Sequence, residues 1–205
     1  MSSASTVKQL RDISGAGMMD CKKALEECEY DIDKAMDVLR KNGIAKAQKK
    51  AGRDAKDGII IPYIHPGSKL GVLVEINCET DFVARTDGFQ DFARDIAMHI
   101  AATGPISIKR EDVSEDIISK EKEIYKEQAL KSGKPENIVE KMVEGRLNKF
   151  YQESVLLEQS FVKDPDKLIQ DLLSDAISTL GENIEIKRFS RFQLGELFQP
   201  EENSE

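Results

Sequence analysis

The apolar residues of this chain first change their spacing near Gly58, and that change limits the folds open to it. Before it, Cys21, Ala24, Leu25 and Cys28, and then Ile32, Ala35, Met36 and Leu39, recur at steps of three and four, the period of one helix face. After it, Ile59, Ile61 and Tyr63 alternate, as do Val72, Val74 and Ile76, which is the period of a strand. His65-Pro66-Gly67-Ser68 between the two runs has the composition of a loop, so the pair predicts a β-hairpin. The helical period then returns in Phe89, Phe92, Ala93, Ile96, Ala97, Ile100 and Ala101, closed by Gly104-Pro105. That helix supplies an apolar stripe for one face of the hairpin. The expectation is an α+β fold: a core of antiparallel sheet packed with helices, behind a helical N-terminal module.

The module, residues 1–45, predicts three short helices. Ser5 is placed to cap the first, which carries Val7, Leu10 and Arg11, and Ser14-Gly15-Ala16-Gly17 breaks it. Asp20 and Asp31 are placed to cap the second and third, and Gly43 to end the last. Residues 46–57 form a basic linker with Lys46, Lys49, Lys50, Arg53 and Lys56 and no large apolar residue. Such a run is ordinarily a solvated connector; RNA or an acidic partner surface is the sharper reading. The core is expected over 58–196, with Asp87 and Gln90 at capping-box spacing before its first helix. Within it, residues 112–151 are charge-dense and sparsely apolar, predicting a protruding helical hairpin that buries only a narrow seam, broken at Ser132-Gly133-Lys134-Pro135. Pro165 is placed in the first turn of a strong amphipathic helix with Leu168, Ile169, Leu172, Leu173, Ala176, Ile177 and Leu180, stopped by Gly181. Ile184 and Ile186 begin a last strand whose phase slips by Phe189, as a bulge would cause. Residues 197–205 read as a disordered acidic tail.

Chemistry on the chain itself is hard to find. A net charge of -8 argues against general nucleic-acid binding, which rests on cations neutralising phosphates. Cys21, Cys28 and Cys78 form no CxxC pair and have no zinc spacing, so no metal and no cofactor is expected, and free thiols fit a reducing compartment. Neither a signal-peptide stretch nor a membrane-length apolar run occurs, which points to the cytoplasm and away from membranes. The glycine loops GxxxxGK[ST] and GxGxxG are absent, so the chain is not expected to hydrolyse a nucleotide itself. A thiol-hydrolase pairing of Cys78 with His65 competes poorly with an inert buried thiol at a strand end. The chain is not expected to be an enzyme.

Two segments stand out instead. Gly15-Ala16-Gly17-Met18-Met19 puts two polarizable side chains after a glycine-rich turn, either packed inside the module or held out as an adaptable contact surface. Glu79-Thr80-Asp81-Phe82-Val83-Ala84-Arg85 puts an aromatic in a polar connection, either folded back as core or exposed as a wedge beside a carboxylate.

At these residues the chain resembles the elongation factor Ts family. VKQLRDISGAGMMDCKKALEE looks like the family's first signature and CETDFVARTDGFQ its second, while GKPENIVEKMVEGRLNKFYQE and GENIEIKRF resemble later blocks, so the likeness runs from Thr6 to Glu196. The resemblance implies a ubiquitin-associated-like fold for the three-helix module and a guanine-nucleotide exchange activity toward the GTPase elongation factor Tu in translation elongation. It implies that Arg11, Met18, Met19 and Lys22 dock on the GTPase's nucleotide-binding domain. Asp81 and Phe82, preceded by Thr80, would be the intruding element that disturbs the magnesium and phosphate site, and His65, Leu180 and Gly181 match positions that touch the same domain. Short, single-core members of the family are expected to pair as homodimers, giving a 2:2 complex in which His65 of one copy complements Phe82 of the other. The long C-terminal helix of longer members has no counterpart here; only Leu197 and Phe198 precede the acidic tail. Two other classes compete: a ubiquitin-associated-type adaptor that binds only through its N-terminal module, and an RNA-binding protein using the basic linker.

Overall fold

The protein is described by a computed structural model that covers residues 3–131 and 135–196. Helices α1 (Ser3–Ser14), α2 (Met18–Glu27) and α3 (Ile32–Lys50) form the N-terminal bundle. Its core is small: Leu10, Cys21, Ala24, Leu25 and Ala35 are buried, with Val7, Ile32, Met36 and Leu39 packed around them. The second core lies between a sheet and helices. Strands β1 (Asp57–Ile64), β2 (Leu70–Cys78) and β5 (Ile184–Gln193) form a three-stranded antiparallel sheet in the order β1-β2-β5. Val72, Val74, Ile76 and Cys78 on β2, with Ile184 and Ile186 on β5, face the stripe of α5 (Asp87–Thr103), where Phe89, Phe92, Ile96 and Ile100 are buried. Helix α8 (Ile169–Leu180) closes the same core through Ile169 and Ile177. The expected mixed α+β architecture is what the chain adopts.

Helix α3 departs from the sequence reading. It runs through Gly43 to Lys50, so the expected stop at Gly43 is wrong and the first turn of the basic stretch is helical. Glycine inside a helix costs about 1 kcal/mol relative to alanine, but here it is buried against α8, where a Cβ would sit 3.8 Å from Ser178. Ala47 belongs to the main core, and the Arg40 guanidinium meets Asp171 of α8 at 2.6 Å. Packing against α8 thus carries the helix past the glycine.

Several caps also differ. Helix α1 is already under way at Ser3, so Ser5 lies inside it. Gly17, not Asp20, precedes α2; Asp20 sits in the first turn, where a carboxylate is favoured by the helix dipole, and pairs with Lys46 at 2.7 Å. Asp31 does cap α3, accepting from the Lys34 N–H at 3.1 Å. Thr86 caps α5 by accepting from Phe89 N–H, and Gln90 instead donates to the Ala84 carbonyl at 2.8 Å. Gly104 and Gly181 end α5 and α8 in the left-handed conformation, as their spacing predicts. Pro165 lies on β4 (Asp164–Leu168), paired with β3 (Ser160–Phe161), rather than in the first turn of α8. The predicted slip in β5 falls at Lys187: Glu75 faces Arg188 while Ile76 faces Ile186.

Helices α6 (Glu115–Leu130) and α7 (Glu136–Ser154) form the hairpin arm. Its seam is narrow, with Ala129 and Val139 buried and Ile117, Ile124, Leu130 and Ile138 exposed. At its base Arg110 pairs with Glu158 and lies 4.5 Å over the Tyr151 ring. Residues 132–134 of the expected break, and the acidic tail 197–205, lie outside the described residues.

His99 of α5 is fully buried, its ring 6.0 Å from that of Phe161 on β3. The Val162 N–H donates to its Nδ1 at 3.3 Å, so Nε2 carries the proton and donates to the Gln159 Oε1 at 2.9 Å. Burial lowers its pKa. The native state therefore holds His99 neutral, while the unfolded chain takes up a proton below about pH 6.5. The contribution to stability is complete above that value and is lost as the pH falls. Urea unfolding at pH 7.5 and 5.0 is expected to show a larger drop in midpoint for the parent than for His99→Gln. Equal drops would refute the assignment.

Candidate functional site

The second signature segment begins where β2 ends. Cys78 closes the strand with its side chain in the core, and the chain turns through Glu79 and Thr80 into the four-residue helix α4 (Asp81–Ala84). Ala84 faces inward and is buried, which turns Phe82 outward: it is 82% exposed, the most exposed large apolar side chain among the described residues. The Asp81 carboxylate lies 2.8 Å from Arg85, one helical turn on. Of the two alternatives left by composition, core or wedge, the structure has the ring in solvent.

Leu180 and Gly181 lie beside this segment. Gly181 ends α8 with φ 82°, and the turn delivers Glu182 and Asn183 against residues 79–80. Leu180 packs into the core and reaches the start of α5, where a Cβ on Gly88 would meet its Cδ2 at 3.5 Å. Thr80, Asp81, Phe82, Leu180 and Gly181 thus form one neighbourhood, built from segments about 100 residues apart.

His65 does not join them. It occupies the hairpin loop, its Nδ1 3.2 Å from the Tyr63 hydroxyl. The β1-β2 ladder runs from Asp57↔Cys78 to Ile64↔Gly71, so Phe82 and His65 leave opposite ends of the sheet, about 24 Å apart at ~3.4 Å per residue. The same geometry removes the Cys78–His65 pairing. Burial, followed by the nearby Glu182 carboxylate, pushes the Cys78 thiol up to about 11, so no thiolate is held near neutral pH.

The remaining sequence candidates lie on the N-terminal bundle. Met18 and Met19 open α2 and are 57% and 63% exposed, so they are not part of the bundle's core. Ile13 is exposed as well, and Arg11 and Lys22 lie at the surface, Lys22 3.7 Å from Glu26. One further apolar feature escaped the sequence reading. Ile60, Ile64, Leu73 and Phe192 lie on the outer face of the sheet and are exposed. Register places Ile64 and Phe192 on either side of Gly71, with Leu73 beside Pro62 in the next row. Strand alternation shows that such residues share a face, but only the finished sheet shows that no described helix covers it.

Among the described residues, no group of histidine, cysteine and carboxylate side chains is arranged to hold a metal ion. No described helix is long and apolar enough to cross a membrane.

Known proteins match this chain over nearly all its length. The sequence model of one family, described as Elongation factor TS, matches residues 3–196. Elongation factor Ts of Carboxydothermus hydrogenoformans is 59% identical over 196 residues, covering 96% of this chain and 90% of the relative. That of Thermosipho melanesiensis is 58% identical over 196 residues, covering 96% of this chain and 100% of the relative. The Geobacter sulfurreducens protein is 56% identical over 200 residues, with 98% and 93% covered. A match of this extent, at 56–59% identity over nearly the whole chain, establishes that the chain belongs to the elongation factor Ts family.

Proposed function

We propose that the protein is a guanine-nucleotide exchange factor for elongation factor Tu, acting in the cytoplasm and not itself an enzyme. The observation that carries the reading is the exposed Phe82 ring on its short helix, beside the Asp81 carboxylate. A solvated phenylalanine gains free energy when it enters an apolar crevice, ~2 kcal/mol for full burial. Inserted beside a magnesium site, the ring displaces the elements that hold the ion. Loss of the cation leaves the diphosphate charge uncompensated, and GDP dissociates. Asp81 adds negative charge near that site and orients the helix through Arg85. Arg11, Met18, Met19 and Lys22 supply a second contact on the same GTPase, with the methionines as its adaptable part. His65, Leu180 and Gly181 complete the contact set.

Exchange by this route obeys linkage: the factor weakens GDP binding by the same ratio by which GDP weakens factor binding. Titration of the protein against nucleotide-free and GDP-magnesium-loaded elongation factor Tu is expected to show markedly tighter binding to the former. Equal affinities would sink the exchange reading and leave an adaptor. The RNA reading gains nothing from the structure, because Lys46, Arg53 and Lys56 of the basic stretch lie within ion-pair distance of Asp20, Glu79 and Asp54.

The reading includes self-association. His65 and Phe82 lie too far apart in one copy to act at one point, and the outer sheet face exposes Ile60, Ile64, Leu73 and Phe192 beside the Glu75–Arg188 ion pair, with the His65 loop at its edge. A second copy seated there forms a homodimer and a 2:2 complex with the GTPase. Light scattering is expected to give a dimer for the parent and a monomer for Leu73→Asp. A monomeric parent at micromolar concentration would remove this part of the proposal.

A further inference from the structure

Phe82 is exposed, yet its segment is tightly held at the base. Glu79 accepts a hydrogen bond from the Asn183 N–H through Oε1 at 2.7 Å. Glu182 returns the contact, accepting the Thr80 N–H through Oε2 at 3.0 Å and the Thr80 hydroxyl through Oε1 at 2.6 Å. Two neighbouring pairs, 79–80 and 182–183, thus exchange side chain for backbone in both directions. The Asn183 amide donates onward to the Arg53 carbonyl at 2.8 Å, and the Cys78 thiol donates to the Thr80 carbonyl at 3.1 Å. Every polar group of Thr80 is engaged.

One detail shows what the arrangement is for. Thr80 is the N-cap residue of α4, the position where a threonine hydroxyl ordinarily accepts from its own helix's free N–H groups. Here it makes no such bond; the hydroxyl donates across to Glu182 instead. The helix that carries Phe82 forgoes a local cap in favour of an anchor on a different part of the chain. A cap fixes the helix only relative to itself, whereas this anchor fixes its orientation relative to the core.

We propose that Glu182 is a positioning residue for nucleotide exchange, acting through Thr80 to present Phe82 in one pose. The inference rests on the exchange reading and deepens it. Thr80 then serves the wedge from beneath rather than as a surface that touches the GTPase. A wedge already held in its inserting orientation loses little backbone freedom on insertion, whereas a loosened one must be ordered at that step. Docking through the N-terminal bundle does not depend on the anchor. Loosening it is therefore expected to slow the insertion step and leave docking intact.

The test is GDP release from elongation factor Tu under single-turnover conditions, with the factor in excess over a range of concentrations. Glu182→Ala and Thr80→Val are expected to lower the maximal rate about tenfold while the half-saturating concentration stays near the parent's. The double variant is expected to be no slower than either single one, because the two residues act as a unit. Thr80→Ser, which keeps the hydroxyl, is expected to restore the rate. A purely structural role would reduce the folded fraction, raising the half-saturating concentration and leaving the maximal rate unchanged. That result, or full maximal rates in both single variants, overturns the inference alone. A parent that does not accelerate release overturns the exchange reading and this inference with it.

Discussion

Phe82→Ala is expected to lower the maximal rate of GDP release from elongation factor Tu by at least about 30-fold, the effect of losing ~2 kcal/mol of a central aromatic anchor. The same substitution is expected to leave the fold untouched. The ring lies in solvent, and α4 is fixed by Ala84 beneath it and by Glu182 at its start. Removing an exposed side chain away from any cap or network ordinarily changes stability by no more than about 0.5 kcal/mol. Stopped-flow release of a fluorescent GDP analogue and a thermal melt on the same preparation check both halves. A variant that exchanges at the parent's rate removes the wedge; one that melts much earlier shows that the ring supports the fold after all.

Phe89→Ala is expected to do the reverse. Seven residues on in the same segment, this ring is fully buried between α5 and the sheet, among Val74, Ile76 and Ile96 in the main core. Its truncation leaves a cavity and costs about 3–5 kcal/mol, a large share of the ~5–15 kcal/mol that holds a typical domain together. The melting temperature is expected to fall by roughly 10 °C for a chain of this size. Below that transition, the maximal release rate per folded molecule is expected to stay close to the parent's, since Phe82 still stands on its anchored helix. A normal melt with a slow maximal rate would mean that the two phenylalanines had been assigned the wrong way round.

This contrast shows what a sequence discloses and what it withholds. Period and spacing placed Phe89 on the buried stripe of α5, because burial at steps of three and four leaves a repeating mark. Phe82 had no such mark: an aromatic in a short polar connection is compatible with either environment, and only the inward-facing Ala84 and the turn at Thr80 decide it. Met18 and Met19 were undecided for the same reason, standing at a helix start where one residue's rotation separates core from solvent. The strands of the hairpin were legible from alternation, and so was the slip in β5, since a bulge breaks the phase of an otherwise regular pattern.

Gly43, Asp20, Asp87 and Pro165 have the local pattern of punctuation; three of them are overridden by contacts from elsewhere in the chain, and Asp87 by its neighbour. Helix α8 packs against Gly43, and Lys46 claims the Asp20 carboxylate. Thr86 takes the cap from Asp87, and pairing with β3 holds Pro165 in a strand. The Glu182–Thr80 anchor was beyond reach altogether. Its partners are 102 residues apart, and a single polar contact at that separation has no period by which to find it.

The most direct test of the exchange activity is release of a fluorescent GDP analogue from elongation factor Tu by the parent protein, followed over increasing protein concentration. Release is expected to accelerate with concentration and then saturate at a rate far above the spontaneous one. Release at the spontaneous rate at every concentration, from a GTPase that the protein demonstrably binds, would contradict that activity.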